Sequence, residues 1–346
     1  MKANTLGNDR TVGSQPGTAL RIGLARKYAT VARSLMLAGS VAGLCLLPPQ
    51  PAWASLCVPP QKINIAQYSG ITAVANFYTP DDFFDHALVA ESNGTVHELF
   101  GDPGWTRYSD AVLTVYGSRV VGLAGFYTPD DGFRHAIAGL ADGTVHEIFY
   151  HPESGLGDAI LAQYSSKIID VAGFYTPDDG FRHAIVGLAD GTVHEIFYHP
   201  EYGQGDAVIA QYSSRIRGVG GFYSSDDGFR HAIIGLANGT VREIFYHPEH
   251  GQGTAVIARY TTPIVATDGY FAEGSAYREV FVALGDGTIH RISFGPDRPV
   301  YKRSLPKSLN FSPGTVLGLG SDSRTAVVGT KDAKVWVIPT YARCPF

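Results

Sequence analysis

Between Ile168 and Tyr212, apolar residues arrive in four short bursts separated by polar, glycine-rich breaks. Ile168 to Phe174, His183 to Ala189, Thr192 to Tyr198 and Ala207 to Tyr212 each have the length and the Val, Ile, Tyr and Phe content of a strand. They are labelled a, b, c and d in chain order. Asp190-Gly191 reads as a two-residue type I′ turn joining b to c, because both residues tolerate positive φ. That turn sets Leu188 opposite Val193, Gly187 opposite His194 and His183 opposite Tyr198. One face then carries His183, Ile185, Gly187, His194, Ile196 and Tyr198. The other carries Ala184, Val186, Leu188, Val193, Glu195 and Phe197. Both faces are mostly apolar, as in a sheet covered on two sides. No window holds a 3.6-residue period of useful length, which excludes a helical solenoid.

The same text recurs along the chain. Phe77-Tyr78-Thr79-Pro80-Asp81-Asp82 returns at Phe126, at Phe174 and, altered, at Phe222, in steps of 49, 48 and 48 residues. One more step reaches Tyr270-Phe271, and Gly285-Asp286-Gly287-Thr288 holds the register. A shorter sixth unit runs from Val316 through Val327 to Ile338. Four antiparallel strands per repeat make the blade of a propeller. A β-sandwich would need no near-identical units. The fold class is therefore all-β, a six-bladed β-propeller, or five-bladed if the sixth unit is irregular. Ile63 to Ser69 matches the strand d text Ala207 to Ser213, so an N-terminal strand is expected to complete the last blade. Such closure would remove open sheet edges.

Residues 1–54 differ in kind. Lys2, Arg10, Arg21, Arg26, Lys27 and Arg33 against Asp9 give +5, and an apolar run from Leu35 to Leu47 leads to Ala52-Trp53-Ala54. This is a signal peptide pattern with cleavage before Ser55, and its core is shorter than a membrane span. Residues 55–346 form one propeller domain, expected to be secreted or periplasmic without a membrane span. The whole chain is −5, so removing the leader leaves −10, an acidic balance that excludes a nucleic-acid backbone as partner. Cys57 and Cys344 would flank the strands of the closing blade, and in an oxidising compartment they are expected to form a disulfide.

Candidate chemistry gathers at one end of the ring. The a–b loop (Tyr175 to Arg182) and the c–d loop (His199 to Asp206) leave from the same end and read as long loops on a rigid scaffold. In the third repeat that end carries Asp178, Asp179, Arg182, His183 and Tyr198. The second gives Asp130, Asp131, Arg134, His135 and Tyr150, the fourth Asp226, Asp227, Arg230, His231 and Tyr246. An aromatic platform with carboxylates and a forked guanidinium suits a polyol such as a sugar. The bland reading is turn chemistry with a loop salt bridge. His194-Glu195 matches half of a zinc protease motif, but the segment is a strand and the two side chains point to opposite faces. They are expected to hydrogen-bond across the gap between blades. No metal site, no cofactor and no catalytic residue is assigned; calcium in the Asp-Asp-Gly loops is the weaker alternative, since two carboxylates supply too few oxygens.

Tandem blades with tight Asp-Gly-Thr hairpins resemble the propeller lectins, in particular the tachylectin-like and fucose-binding groups. The resemblance spans residues 60–346 in architecture and rests on no family-specific motif. The Trp-rich pattern of several such lectins is missing, with only Trp105 and Trp336 after the leader. It implies multivalent glycan binding. The competing classes are a protein-interaction scaffold and an enzyme with one axial site. Near-symmetry of the second to fourth repeats counts against the enzyme, because catalysis needs different roles at different positions.

Overall fold

The computed structural model describes residues 61–339, apart from positions 81, 130, 152–154, 178–179, 200–202, 248, 250, 273–276, 296–297 and 323. The leader, Cys57, Cys344 and the loop carboxylates Asp130, Asp178 and Asp179 lie outside the described residues. Among those described, six four-stranded antiparallel sheets form a β-propeller, with one 3-10 turn at Lys307–Leu309. Blades 1 to 5 each take four consecutive strands. The sixth sheet joins Val316–Ser321, Thr325–Thr330 and Lys334–Pro339 to the N-terminal strand Ile63–Gln67. Ile63 pairs with Val337 and Gln67 with Lys334 along that outer edge.

Each a strand packs against the next around the axis, and Val316–Ser321 of blade 6 returns to Ile71–Tyr78 of blade 1. The apolar clusters lie between blades rather than within them. One joins Phe126, Ile137 and Val145 of blade 2 to Ile168, Val186 and Ile196 of blade 3. The next joins Phe174, Ile185 and Val193 of blade 3 to Ile216, Ile234 and Ile244 of blade 4. A sheet covered on both sides has no use for an apolar/polar alternation, which explains the two apolar faces.

The b–c hairpin departs from the predicted turn. Gly187, not Leu188, pairs with Val193, and the Gly191 N–H donates to Leu188 C=O at 3.1 Å. Gly191 has φ of 90°, so the connection is a three-residue loop ending on a left-handed glycine. A Cβ there would come within 2.0 Å of Tyr212 C=O, so the turn is docked on the end of strand d. The one-residue difference in register exchanges the faces of strand c. His183 therefore shares its face with Ile185, Glu195 and Phe197.

The loops are also shorter than expected. Strand a of blade 3 runs Ile168–Thr176, b Phe181–Leu188, c Thr192–His199 and d Gly203–Gln211. Arg182 thus stands on a strand and not in the loop, and Tyr198 lies within strand c as expected. The sequence hides the start of strand d because Gly203-Gln204-Gly205 has turn composition. Here Gly205 serves contact: a Cβ on it would lie 2.1 Å from the Phe197 ring.

Inner strands have one edge without a strand partner, so their N–H groups need other acceptors. Asp170 Oδ2 accepts the Val219 N–H of the next blade at 3.0 Å, while Oδ1 accepts its neighbour Val171 N–H at 3.0 Å. Asp268 Oδ2 joins blade 5 to blade 6 by accepting the Ser321 N–H at 2.6 Å and its hydroxyl at 3.1 Å. Burial pushes Asp170 up to about 8 and Asp268 up to about 7.

Two predictions follow from this architecture. Deleting residues 62–68 removes the outer strand of blade 6 and exposes the edge of Lys334–Pro339; we expect loss of the cooperative thermal transition, read by circular dichroism, and an unchanged melt would refute it. The second concerns pH. An unfolded aspartate titrates near ~3.9. Between that value and about 7 to 8 the folded chain binds more protons at Asp170 and Asp268 than the unfolded chain does, so their contribution to stability falls as pH rises. The melting temperature should decline across this window, and Asp170→Asn should flatten the decline; an equal slope in the variant would contradict the assignment.

Candidate functional site

The polar side chains at the a–b end divide into a buried row and an open pair. In blade 3, Thr176 closes strand a, His183 lies on b and Glu195 on c. Thr176 Oγ1 is 3.2 Å from His183 Nε2, and His183 Nδ1 is 3.0 Å from Glu195 Oε1. The imidazole stacks on Phe174 with ring centroids 5.0 Å apart. Blade 2 repeats the row at Thr128, His135 and Glu147, and blade 1 at Thr79, His86 and Glu98. In blade 4, Ser224 takes the place of the threonine, and His231 is 2.8 Å from Glu243. His135, His183 and His231 are fully buried. They cannot touch a ligand, contrary to the expectation from sequence; they hold the glutamates from behind. Burial alone would lower the pKa of His135, but hydrogen bonds with Asp131 and Glu147 outweigh it and raise the group above its ordinary value.

The other face of the same strands supplies the open pair. Arg182 and Tyr198 are direct cross-strand partners, and the guanidinium lies over the ring at 4.6 Å. Arg230 covers Tyr246 at 4.5 Å and Arg134 covers Tyr150 at 5.7 Å. Each guanidinium reaches back to the preceding blade. Arg182 Nε is 3.6 Å from Glu147 Oε1 and its Nη1 3.7 Å from Asp131 Oδ2. Arg230 Nε is 3.4 Å from Glu195 Oε1. Arg134 Nη2 donates to Asp82 Oδ2 at 2.7 Å. The unit of the site is therefore a pair of blades: Glu from one, Arg and Tyr from the next.

The described loop aspartates are turn acceptors as well. Asp131 Oδ1 takes the Phe133 N–H at 2.9 Å, and Asp227 Oδ1 the Phe229 N–H at 3.0 Å. Burial would raise Asp131, but hydrogen bonds from His135, Thr128 and the Phe133 N–H bring it down to about 2. Asp226 accepts from the Ser224 hydroxyl. Asp226, Asp227 and Glu243 all surround Arg278 of blade 5, whose side chain is buried.

Open clefts lie beside two of these pairs. Between blades 2 and 3, a cavity of about 340 Å³ is lined by Glu147, Arg182, Tyr198, Phe133, Phe149 and Ile160. Between blades 3 and 4, one of about 370 Å³ is lined by Glu195, Arg230, Tyr246, Phe181, Phe197 and Val208. Gln204 and Gln252 close the back by donating to Leu161 C=O and Ile209 C=O of the preceding blade. Ile160 and Val208 are 63% and 60% exposed at the rim, an unusual position for branched aliphatic side chains. The site thus sits in the seams between blades and not on loop tips. Sequence reasoning did not include the glutamates, phenylalanines and glutamines among the binding residues, although all recur at the repeat spacing.

His194 and Glu195 do point to opposite faces, but each bonds within its own blade first. His194 Nδ1 is 2.8 Å from Asp206, which also accepts from Tyr164 of blade 2 at 2.9 Å. Glu195 takes His183 in its own blade and Arg230 in the next. The link between blades therefore runs through Tyr and Arg. Among the described residues, no three His, Cys, Asp or Glu side chains gather as a metal site, and no helix is long and apolar enough to cross a membrane.

No protein-family model and no curated protein matches this sequence. Solved structures do match the fold. SapL1 lectin in complex with alpha methyl fucoside aligns with a TM-score of 0.59 at 14% identity, over 82% of this chain and 99% of that one. The Aleuria aurantia lectin with alpha-methyl-L-fucoside gives 0.60 at 12% identity, over 83% and 100%. AofleA from Arthrobotrys oligospora gives 0.59 at 10%, over 82% and 86%. At these identities the likeness is one of fold.

The buried row should matter for stability irrespective of ligand. His183→Ala leaves Glu195 without its rear partner, and losing a buried hydrogen bond to a charged group costs about 2 kcal/mol. Urea unfolding should show that loss, with Thr176→Val costing less; an unaltered midpoint for His183→Ala would refute the bracing role.

Proposed function

We propose that this chain is a secreted carbohydrate-binding protein whose ligand sites are the clefts between adjacent blades. The observation that carries the reading is the Glu195–Arg230 pair at the mouth of a cavity floored by Phe181 and Phe197. Its counterpart is Glu147 with Arg182, over Phe133 and Phe149. A fixed carboxylate accepts from a sugar hydroxyl while the guanidinium beside it donates to a neighbouring one. The apolar face of the ring can then lie on the aromatic side chains. Because His183 already holds Glu195, the acceptor is positioned before the ligand arrives, which lowers the ordering cost of binding.

The exposed Ile160 and Val208 beside each pair favour a sugar carrying a methyl group, so we assign a fucoside-type deoxysugar as the ligand class. Lectin structures of the same fold hold alpha methyl fucoside, which supports this choice. The leader pattern and the expected Cys57–Cys344 disulfide are the grounds for placing the protein outside the cytoplasm. Two seams of the same build, one blade apart, make the protein multivalent toward a glycan-coated surface.

The test uses the mature protein with alpha-methyl fucoside in calorimetry and a fucosylated surface in a binding assay. We expect weak saturable binding to the free sugar and binding to the surface tighter by about a hundredfold, from avidity. Arg182→Ala and Arg230→Ala should each remove one class of site, and the double variant should abolish surface binding. Arg230→Lys, which retains the charge and loses the fork, separates recognition from bracing: folded protein with lost binding supports the reading. Unfolding of both the alanine and the lysine variants would show that the arginines only brace the seam. Full binding by the double alanine variant would leave the protein-interaction scaffold as the better reading.

A further inference from the structure

The seam between blades 1 and 2 has the parts of a cleft but not its opening. Glu98 stands where Glu147 and Glu195 stand in the next two seams, with Arg134 and Tyr150 in the places of Arg182 and Tyr198. Asp82 holds the Arg134 guanidinium at 2.7 Å, and the space beside Glu98, Arg134, Tyr150 and Leu156 is only about 10 Å³. That is about the room a single water needs, so no sugar ring enters it. Leu156 also replaces the glutamine found at 204 and 252, and with it the amide that donates to the preceding blade. A polar, open cleft has become a closed and apolar seam.

The same seam carries an aromatic residue that its own turn disfavours. In blades 2, 3 and 4 the a–b turn contains Gly132, Gly180 and Gly228, each with φ of 72°. Blade 1 has Phe83 at that place, with φ of 63°. The turn is otherwise the same: Asp82 Oδ1 accepts the Phe84 N–H at 2.9 Å, as Asp131 Oδ1 accepts that of Phe133. A bulky side chain in the left-handed region is strained, and glycine is the residue that avoids the strain. Burial does not offset it, because Phe83 is 68% exposed. Phe84, Val112 and Leu156, at the repeat positions of the cleft-lining Phe133, Ile160 and Gln204, are exposed as well. Backbone strain that gains no packing points to a role in function.

Area, shape and charge select the occupant. The exposed parts of these four side chains come to roughly 400 Å², taking an aromatic side chain at about 200 Å². A stable protein interface covers about 800 Å² on each partner, twice as much. Phe83 stands in a projecting turn, and a projecting ring needs no matching socket in a fluid apolar phase. The neighbouring carboxylates Asp82 and Asp85 face Arg134 and Arg324, at 2.7 and 3.4 Å. The acidic balance of the mature chain disfavours an anionic surface. The a–b end that bears Phe83 also bears the clefts, so whatever surface engages the clefts meets the phenylalanines too. We propose that Phe83 and Phe84 insert into a zwitterionic bilayer, and that the sugar bound in the clefts is carried on a lipid. The second clause rests on the cleft reading; the first rests on the strained, exposed ring.

The experiment presents the mature protein with three surfaces: phosphatidylcholine vesicles, the same vesicles carrying a fucosyl lipid, and a lipid-free polymer with fucosyl groups at equal density. We expect weak binding to the plain vesicles at millimolar lipid. Binding to the fucosyl vesicles should be about tenfold tighter than to the polymer, because the inserted rings add a second contact. Phe83→Gly introduces the residue that blades 2, 3 and 4 already have, so the variant should fold and melt no lower than the parent. It should lose binding to plain vesicles and the tenfold advantage of fucosyl vesicles, with polymer binding unchanged. A Phe83→Gly protein that binds both kinds of vesicle as before would overturn the proposal. So would equal affinity of the parent for fucosyl vesicles and polymer. Loss of self-association in sedimentation on Phe83→Gly, with vesicle binding unaltered, would reassign the patch to a second copy of the chain. Plain vesicles read the phenylalanines without any sugar, and the polymer reads the clefts without any lipid, so the two proposals fail separately.

Discussion

A sheet whose second strand buries nearly every side chain, as Asp85–Glu91 and Phe229–Leu236 do, cannot leave either face in water. Each blade must therefore be sandwiched, and the last must meet the first. Burying one such face is worth about 25 cal/mol per Å² of apolar surface, so an unpaired blade would lose much of the stability of the whole domain. The ring, the shared apolar clusters and the pairing of the N-terminal strand with Lys334–Pro339 all satisfy this one requirement.

Sandwiched faces leave few places for charge, and each buried charge needs a partner. The His–Glu row meets that need within a blade, and the arginine of the next blade adds a second contact from across the seam. Blade 5 shows that the compensation matters more than the residue types. Glu279 stands there at the histidine position and Arg291 at the glutamate position, and the two bond at 2.7 Å with their charges reversed. Ser293 adds a further hydroxyl to Glu279. Arg278 in the same blade is 6% exposed and held by three carboxylates, so its seam is a brace. Arg182 and Arg230, at the same position in their blades, border open cavities. The same arginine position is thus enclosed by carboxylates in one seam and opens onto a cavity in two others.

The architecture could be read from the chain because the repeat is near-identical and its strand text has no rival in helical spacing. What failed was local. Asp190-Gly191 is compatible with both a two-residue and a three-residue hairpin, and the difference of one residue decided whether Glu195 faced His183. Gly203-Gln204-Gly205 looked like loop because glycine usually breaks strands; only the Phe197 ring lying across Gly205 shows why glycine is needed there. Arg182 and Tyr198 stood out because their types are chemically distinctive. The glutamates were set aside as structural, since a contact made between two blades cannot be seen in one repeat.

Repetition and exception therefore carry different information in this molecule. A feature present in several seams is explained first by packing, and acquires a binding role only where a cavity adjoins it. A feature present in one blade has no such default. Asp322 interrupts the ring of aromatic side chains that stack on buried histidines or line the core elsewhere, at 77, 126, 174, 222 and 270. Its blade has Thr325 and Val337 where blade 3 has His183 and Glu195, so the imidazole that the aromatic ring would cover is gone as well. Relaxed packing in blade 6 permits a small residue at 322. The carboxylate that fills the gap closes the turn into the second strand by accepting the Arg324 and Thr325 N–H groups, and it meets Asn76 of blade 1, so a polar contact replaces the aromatic stack at this seam.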